Sequence, residues 1–304
     1  MTTQNLAATY PADTRTRFIF DDMPVRGLHV RLENVWQHIV KQKHYPAAIR
    51  RALGELLAAG ALLSSNLKID GTLIVQVQGQ GRLKMLVVEA TSEQTLRATA
   101  RWDEHANIAD DESLTDLLGD SSVFVLTLQP KDAEPWQGVV PLEGDSIAQM
   151  LMNYMKRSEQ LDTHIVLSAS DTSVGGLLVQ RLPEEEIDAE AWNHVSTLAQ
   201  TVTADELTDL DAQHVLYRLF HETPPRVFEP ENIEFACTCS RGKVSDMLLM
   251  LGGEEVGGVV SEQGSIAVDC DFCHEKYVFD ETDVNALFGA NVVSAVREEA
   301  QRIQ

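Results

Sequence analysis

Cys237-Thr238-Cys239 and Cys270-Asp271-Phe272-Cys273 hold all four cysteines of the 304-residue chain, with thirty residues between the two pairs. Two close pairs separated by a loop meet the needs of a tetrahedral metal. Each pair offers two sulfurs from one tight turn, and the intervening chain brings the turns together. Thiolates at this spacing select Zn²⁺, one ion per chain, over Mg²⁺ or Ca²⁺, which take oxygen ligands. The C-x-x-C pair is ordinary for zinc. The C-x-C pair is not, because cysteines two residues apart can also close a small, strained and easily reduced ring. Two readings stand: a structural zinc site, and a redox switch that holds zinc when reduced and forms local disulfides when oxidised. His274 directly follows Cys273, but four thiolates complete a tetrahedron and leave it outside the ligand set.

Working outward, residues 236–289 form a small module in which Gly252-Gly253 and Gly257-Gly258 mark turns between the cysteine pairs. Few aromatics are available, so the core is thin and a metal or disulfide staple is expected. Ile266 to Val268 and Lys276 to Phe279 read as strands on either side of the C-x-x-C turn. A thiol–disulfide oxidoreductase usually carries that motif at a helix N-terminus, so the strand context argues against it. Residues 290–304 are a helix-prone tail.

Residues 184–235 are a separate, acidic segment with thirteen Asp and Glu against two arginines, Arg218 and Arg226. It keeps helical spacing all the same. Ile187, Ala191, Val195, Leu198 and Val202 suggest one helix. Leu207, Leu210, Val215, Leu216, Leu219 and Phe220 can share the face of a second, with Thr203 and Glu206 as a capping box. Few opposite charges stand four residues apart to offset the repulsion, so these helices depend on docking their apolar faces elsewhere. Either this is an ordinary acidic helical linker, or it is a segment that unfolds when its support is removed.

Residues 1–183 read as one α+β domain built on an antiparallel sheet. Strands are expected at Arg15–Phe20, Thr95–Arg101, Val123–Leu128, Gln137–Val140, Thr163–Ser170 and Gly176–Leu182, and helices at Leu32–Lys43, Ala47–Leu63 and Ser146–Ser158. Thr72–Gln78 and Leu83–Ala90 form a hairpin around Gly79-Gln80-Gly81-Arg82, a glycine turn with no following helix to make it a phosphate loop. Hairpin-length connections without strand–helix alternation support the α+β assignment over α/β.

Composition narrows the function. A formal net charge of −23 argues against a nucleic-acid backbone as partner. Arg26, Arg31, Arg50 and Arg51 are scattered and read as solvated surface. No run of about eighteen apolar residues suggests a membrane span, and Met1 to Asp13 lacks the pattern of a signal peptide. A soluble cytosolic protein is expected, and there a four-cysteine cluster points to metal or redox chemistry. No enzyme is expected. Four thiolates close the coordination sphere a metal hydrolase must leave open, and Ser168, Ser170 and Asp171 lack a G-x-S-x-G elbow.

The pieces together resemble the redox-regulated holdase chaperones of the heat shock protein 33 family. The C-x-C, long spacer and C-x-x-C are similar to that family's zinc switch. The stretch Tyr154-Met155-Lys156-Arg157-Ser158-Glu159-Gln160-Leu161-Asp162-Thr163 resembles its Tyr…Ser-Glu-Gln…Thr segment. Gly175-Gly176-Leu177-Leu178-Val179-Gln180-Arg181-Leu182-Pro183 resembles its strand before the linker, and Phe235-Ala236-Cys237-Thr238-Cys239-Ser240 its approach to the zinc module. The resemblance covers residues 14 to 289 in order. It implies an N-terminal domain, a metastable linker and a C-terminal zinc domain with Cys237, Cys239, Cys270 and Cys273 as ligands. It further implies an inactive reduced form and, on oxidation, zinc release, disulfides Cys237–Cys239 and Cys270–Cys273, and an unfolded linker. The oxidised protein is then expected to dimerise, to hold unfolding clients without ATP, and to pass them to ATP-dependent refolding chaperones. On this reading Leu207, Leu210, Val215, Leu216, Leu219 and Phe220 are the candidate client-binding surface. The runner-up is a zinc-ribbon binding protein with a purely structural site.

Overall fold

A helix that is apolar on every side must sit inside a protein, and Ala47–Leu63 (α2) buries 13 of its 17 residues. The computed structural model describes residues 12–66, 70–182 and 189–289, and the chain divides into two compact units, Met1–Ala236 and Cys237–Gln304. In the first unit α2 packs against strands of two sheets. Before it come β1 (Thr14–Ile19), β2 (Val25–Leu32) and α1 (Asn34–Gln42). After it come β3 (Gly71–Gln78), β4 (Leu83–Thr91), β5 (Thr95–Trp102), α3 (Leu114–Leu118), β6 (Val123–Pro130), β7 (Trp136–Pro141), α4 (Ile147–Arg157), β8 (Thr163–Ala169) and β9 (Val174–Arg181). The segment after β9 supplies α5 (Ala189–Gln200), α6 (Ala204–Asp209), α7 (Ala212–Phe220), β10 (Arg226–Val227), β11 (Glu231–Asn232) and β12 (Glu234–Phe235).

The first sheet runs β10-β1-β2-β9-β8, with β11 also on β1; the second runs β12-β5-β4-β3-β6-β7. All pairings are antiparallel except β12 on β5. The α+β class expected from the sequence is what the chain adopts, and the β3–β4 hairpin turns at Gly79–Arg82, where Gly79 N–H donates to the Lys84 carbonyl at 3.0 Å.

β2 gives a weak signal because Arg26 and Gly27 separate Val25 from the short alternation Leu28, Val30, Leu32, and His29 and Arg31 mark its other face as polar. The two arginines have partners inside the fold. Arg26 forks onto Gln180 Oε1 at 3.0 and 2.6 Å. Arg31 donates to the Thr208 carbonyl at 2.6 Å and to Glu33 at 2.8 Å. Its side chain is only 12% exposed, which corrects the solvated-surface reading. Arg50 pairs with Asp171 at 2.5 Å.

The outer face of the first sheet explains the acidic segment. Phe18, Phe20, Val25, Leu177 and Val179 form one buried cluster with Val195, Ala199, Val202, Leu207, Ala212, Val215, Leu216, Leu219 and Phe220 of the helices. The rings of Phe20 and Phe220 meet edge to face at 5.2 Å, with Phe18 against both. The support these charged helices require is therefore the N-terminal sheet itself. Gly175 permits the contact: a Cβ there would stand 2.1 Å from the Leu207 carbonyl oxygen. One refinement concerns the second helical face. α6 stops at Asp209, Leu210 is extended, and Asp211 caps a new helix by accepting from His214 N–H. Leu207 and Leu216 thus share a packed face without sharing a helix. The Thr203–Glu206 capping box is formed. Ile187 lies outside the described residues.

The far end of the segment is fastened by charge. Arg15, 7% exposed, donates to Glu231 at 3.1 and 2.6 Å and also to the Ala61 carbonyl and Ser64 Oγ. Glu231→Ala would leave the Arg15 guanidinium half-satisfied in a desolvated place. We expect a loss of about 2 kcal/mol, read as a lower urea midpoint for the first unit and faster proteolytic cutting between residues 189 and 235.

The second unit contains α8 (Arg241–Leu251), α9 (Gly253–Gln263), β13 (Ser265–Asp269), β14 (Lys276–Asp280) and α10 (Glu281–Phe288). Its core is Leu248, Val256, Val260, Phe279 and Val284, thin as the sequence implies. Gly252, at φ 96°, separates α8 from α9. Gly257-Gly258 does not turn the chain but lies inside α9, where Val256 and Val260, four residues apart, face the core together and outweigh the glycines' poor helix propensity. The tail from 290 onward lies outside the described residues. No described helix is long and apolar enough to cross a membrane.

Candidate metal centre and its linker

Cys237 and Cys239 occupy the extended stretch between β12 and α8. Ser240 ends that stretch by capping α8, its Oγ accepting from Lys243 N–H at 3.2 Å. Cys270 and Cys273 sit in the tight turn between β13 and β14, where Cys270 N–H donates to the Glu275 carbonyl at 3.0 Å and His274 N–H to the Cys270 carbonyl at 2.8 Å. His274 adopts φ 55°, the left-handed conformation that reverses the chain into β14. The residue after Cys273 thus has a backbone task.

The fold brings all four sulfurs within 4.8 Å of one another. Cys237 Sγ lies 3.7 Å from Cys270 Sγ, and Cys239 Sγ 3.4 Å from Cys273 Sγ. None is joined in a disulfide. Four sulfurs at zinc–sulfur bonding distance from a common tetrahedral centre stand about 3.8 Å apart, so the donor set fits a thiophilic divalent ion. The close contacts run across the pairs, so a shared ligand would tie the two turns together.

Local electrostatics favour a cation at the centre. Burial, then the neighbouring Cys239, Cys237 and Cys270 sulfurs, push the Cys273 thiol well above its ordinary range, while the Glu275 N–H pulls the other way. Burial likewise raises Cys270, against N–H groups of Cys273 and Phe272 directed at its sulfur. Those N–H groups are placed to stabilise negative sulfur, but the crowded site resists deprotonation until a positive charge enters. Tyr277 donates its hydroxyl to Cys239 Sγ at 3.1 Å, and that bond raises the phenol's pKa. Tyr277 was not singled out from the sequence; its place in β14, opposite Val268 and four residues past Cys273, was the available signal.

The candidate client-binding side chains lie elsewhere. Leu207, Val215, Leu216, Leu219 and Phe220 are between 0% and 3% exposed against the first sheet, and Leu210 is half-buried beside them. Their sheet partners Phe18, Phe20, Val25, Leu177 and Val179 were not identified from the sequence. The alternation of Phe18 and Phe20 across the end of β1 was the hint of a second apolar face. The two sites are close in sequence, since Ala236 alone separates β12 from Cys237.

Comparison with known proteins places this geometry. The family model described as Hsp33 protein matches residues 13–280. A 33 kDa chaperonin of Neisseria meningitidis serogroup A is 84% identical over 293 residues, covering 96% of this chain and 97% of that protein. The 33 kDa chaperonin of Chromobacterium violaceum is 51% identical over 288 residues, covering 94% and 97%. The crystal structure of the 33 kDa chaperonin of Thermotoga maritima shares the fold with a TM-score of 0.80 at 22% identity, covering 91% of this chain and 98% of that one. With a thiol cluster, a sheet-docked linker and relatives aligned over nearly their full length, the chain belongs to the Hsp33 protein family.

Proposed function

We propose that this protein is a redox-switched, ATP-independent holdase whose reduced form is closed. Membership of the Hsp33 family supports a chaperone function as such. The observation that carries the finer reading is the juxtaposition in sequence of two devices. A four-thiol cluster begins two residues after the strand that ends the linker, and the linker's apolar face covers the first sheet.

Cys237, Cys239, Cys270 and Cys273 are the residues that would hold zinc. When bound, zinc supplies a cross-link between the two turns and keeps the sulfurs as thiolates. Peroxide oxidises each pair, Cys237 with Cys239 and Cys270 with Cys273. Two thiolates give up two electrons and an S–S bond forms, while the peroxide takes up those electrons and two protons from solvent and leaves as two waters. Two disulfides no longer offer a thiolate ligand set, and the five-residue core of the second unit has little else to hold it. Loss of that anchor frees the chain at β12 and, through it, the linker. Release would expose the helical face and the sheet face together, a contiguous apolar surface rimmed by acids that suits an unfolding protein and keeps the complex soluble. We place the protein in the cytoplasm, dimeric when oxidised, handing clients to ATP-dependent refolding chaperones.

The test compares the reduced, zinc-loaded protein with peroxide- or hypochlorite-treated protein for suppression of a heat-unfolding client's aggregation, following zinc release with a colorimetric chelator. Suppression after oxidation only, in step with zinc release, is expected. Suppression in neither state would leave a structural zinc module and overturn the reading.

A further inference from the structure

His29 lies in the middle of β2 on the face that the linker covers. Its register partners are Thr16 on β1 and Leu177 on β9, and Leu177 belongs to the linker-side cluster. The imidazole is 1% exposed, and its Nε2 has no hydrogen-bond partner. Buried polar groups are nearly always satisfied, and an exception calls for an explanation. Among the described residues one other buried side-chain atom is orphaned in this way, Nε2 of His164. His164 stands opposite Val179 of the same cluster, so it faces the same way. Both orphaned nitrogens therefore belong to the surface that the linker closes.

We propose that His29 is an acid sensor for the linker: protonation of this imidazole favours release of α6 and α7 from the first sheet, so mild acid primes the protein with its cysteines still reduced. A neutral ring tolerates the apolar site, whereas an imidazolium there has neither water nor an acceptor at Nε2. The charged groups that act on the ring oppose each other. Asp211, at the start of α7, favours the charged ring, and Arg31, on β2 itself, disfavours it. Both already have partners, since Asp211 Oδ1 accepts from His214 N–H and lies 2.7 Å from His214 Nδ1, and Arg31 holds Glu33 and the Thr208 carbonyl. Of the acids on α6, Glu206 pairs with Arg218, and Asp209 accepts from the Thr208 hydroxyl. The flanking Thr16 and Leu177 do not ionise. Burial dominates and lowers the His29 pKa to about 4; burial also lowers His164.

The sign follows. A released linker returns His29 to its ordinary pKa of about 6.5, so below that value the released state takes up a proton that the docked state refuses. Docking is strongest above about pH 6.5 and weakens as the pH falls towards about 4. Between about pH 7.5 and about pH 5.5 the released population should rise roughly tenfold.

The inference rests on the linker being the mobile element of the proposed switch, and the experiment separates the two. In the reduced, zinc-loaded, full-length protein with labelled histidines, the NMR resonance that disappears in His29→Gln should titrate below about pH 5; a midpoint near the ordinary histidine value overturns the sensor. Cleavage of the linker by proteinase K, normalised to an unfolded peptide, should accelerate at least about tenfold at the lower pH in the wild type and about tenfold less in His29→Gln, whose residual acceleration comes from His164, with metal content unchanged. Equal acceleration in the variant, or zinc loss in step with cleavage, overturns the proposal. Acid-accelerated cleavage without client suppression would uphold the sensor and count against the holdase reading.

Discussion

Replacing Cys237 and Cys239 together by serine is expected to remove zinc from the protein and unfold the second unit while leaving strands β1 to β9 of the first unit paired. Hydroxyls are poor zinc ligands at neutral pH, and two remaining thiols cannot close a tetrahedron. Zinc sites in small finger peptides contribute about 10–16 kcal/mol to folding. Here that contribution would be withdrawn from a unit with, among the described residues, five fully packed apolar side chains. Metal analysis should read zero, and amide exchange between residues 241 and 289 should collapse to the unprotected rate. Under the switch reading the variant also suppresses client aggregation without oxidant. If it stayed closed when reduced and opened on oxidation as the wild type does, the cysteine mechanism would be wrong.

Phe220→Ala tests the other half of the device without touching a cysteine. Phe220 is 2% exposed and fills the centre of the ring cluster with Phe18 and Phe20. Truncating a buried phenylalanine costs about 3–5 kcal/mol. Here the cost falls on docking, because α6 and α7 are short and poor at standing alone. The expected variant keeps its zinc, is cut readily between residues 189 and 235, and holds clients while reduced. Tyr217→Ala, on the same helix but 75% exposed, should do none of this. A reduced Phe220→Ala protein with a protected linker would show that docking does not gate the surface.

The limits of the sequence reading have physical causes. α2 was legible from end to end because its Ala- and Leu-rich sequence is interrupted only by Arg50, Arg51 and Glu55 on one side of its first turns. The strands from β3 to β9 were legible because each alternates or runs apolar between clear turn residues. β2 was not, since its two arginines are satisfied by partners far away in sequence, Gln180 and Thr208, and its buried histidine gives no apolar signal. The four cysteines were recognisable as one set from spacing, but that their closest contacts run across the pairs is a tertiary fact. The linker's helices showed an apolar face and a lack of internal support, yet a helical face does not name what covers it. Phe18 and Phe20 become informative only once β1 is known to have two buried sides.

The placement of β10, β11 and β12 bears on how the protein comes off the ribosome. β1, among the first residues made, waits for residues 226–232 to cover its edge, and β5 waits for residues 234–235. Until the linker has emerged, the nascent chain carries two unpaired strand edges and an uncovered row of aromatic and aliphatic side chains, a state prone to aggregation. The cysteine turns are synthesised after these strands. Each new molecule therefore passes, before it is finished, through the open arrangement proposed here for the oxidised protein, and it depends on rapid completion, or on other chaperones, to be born closed.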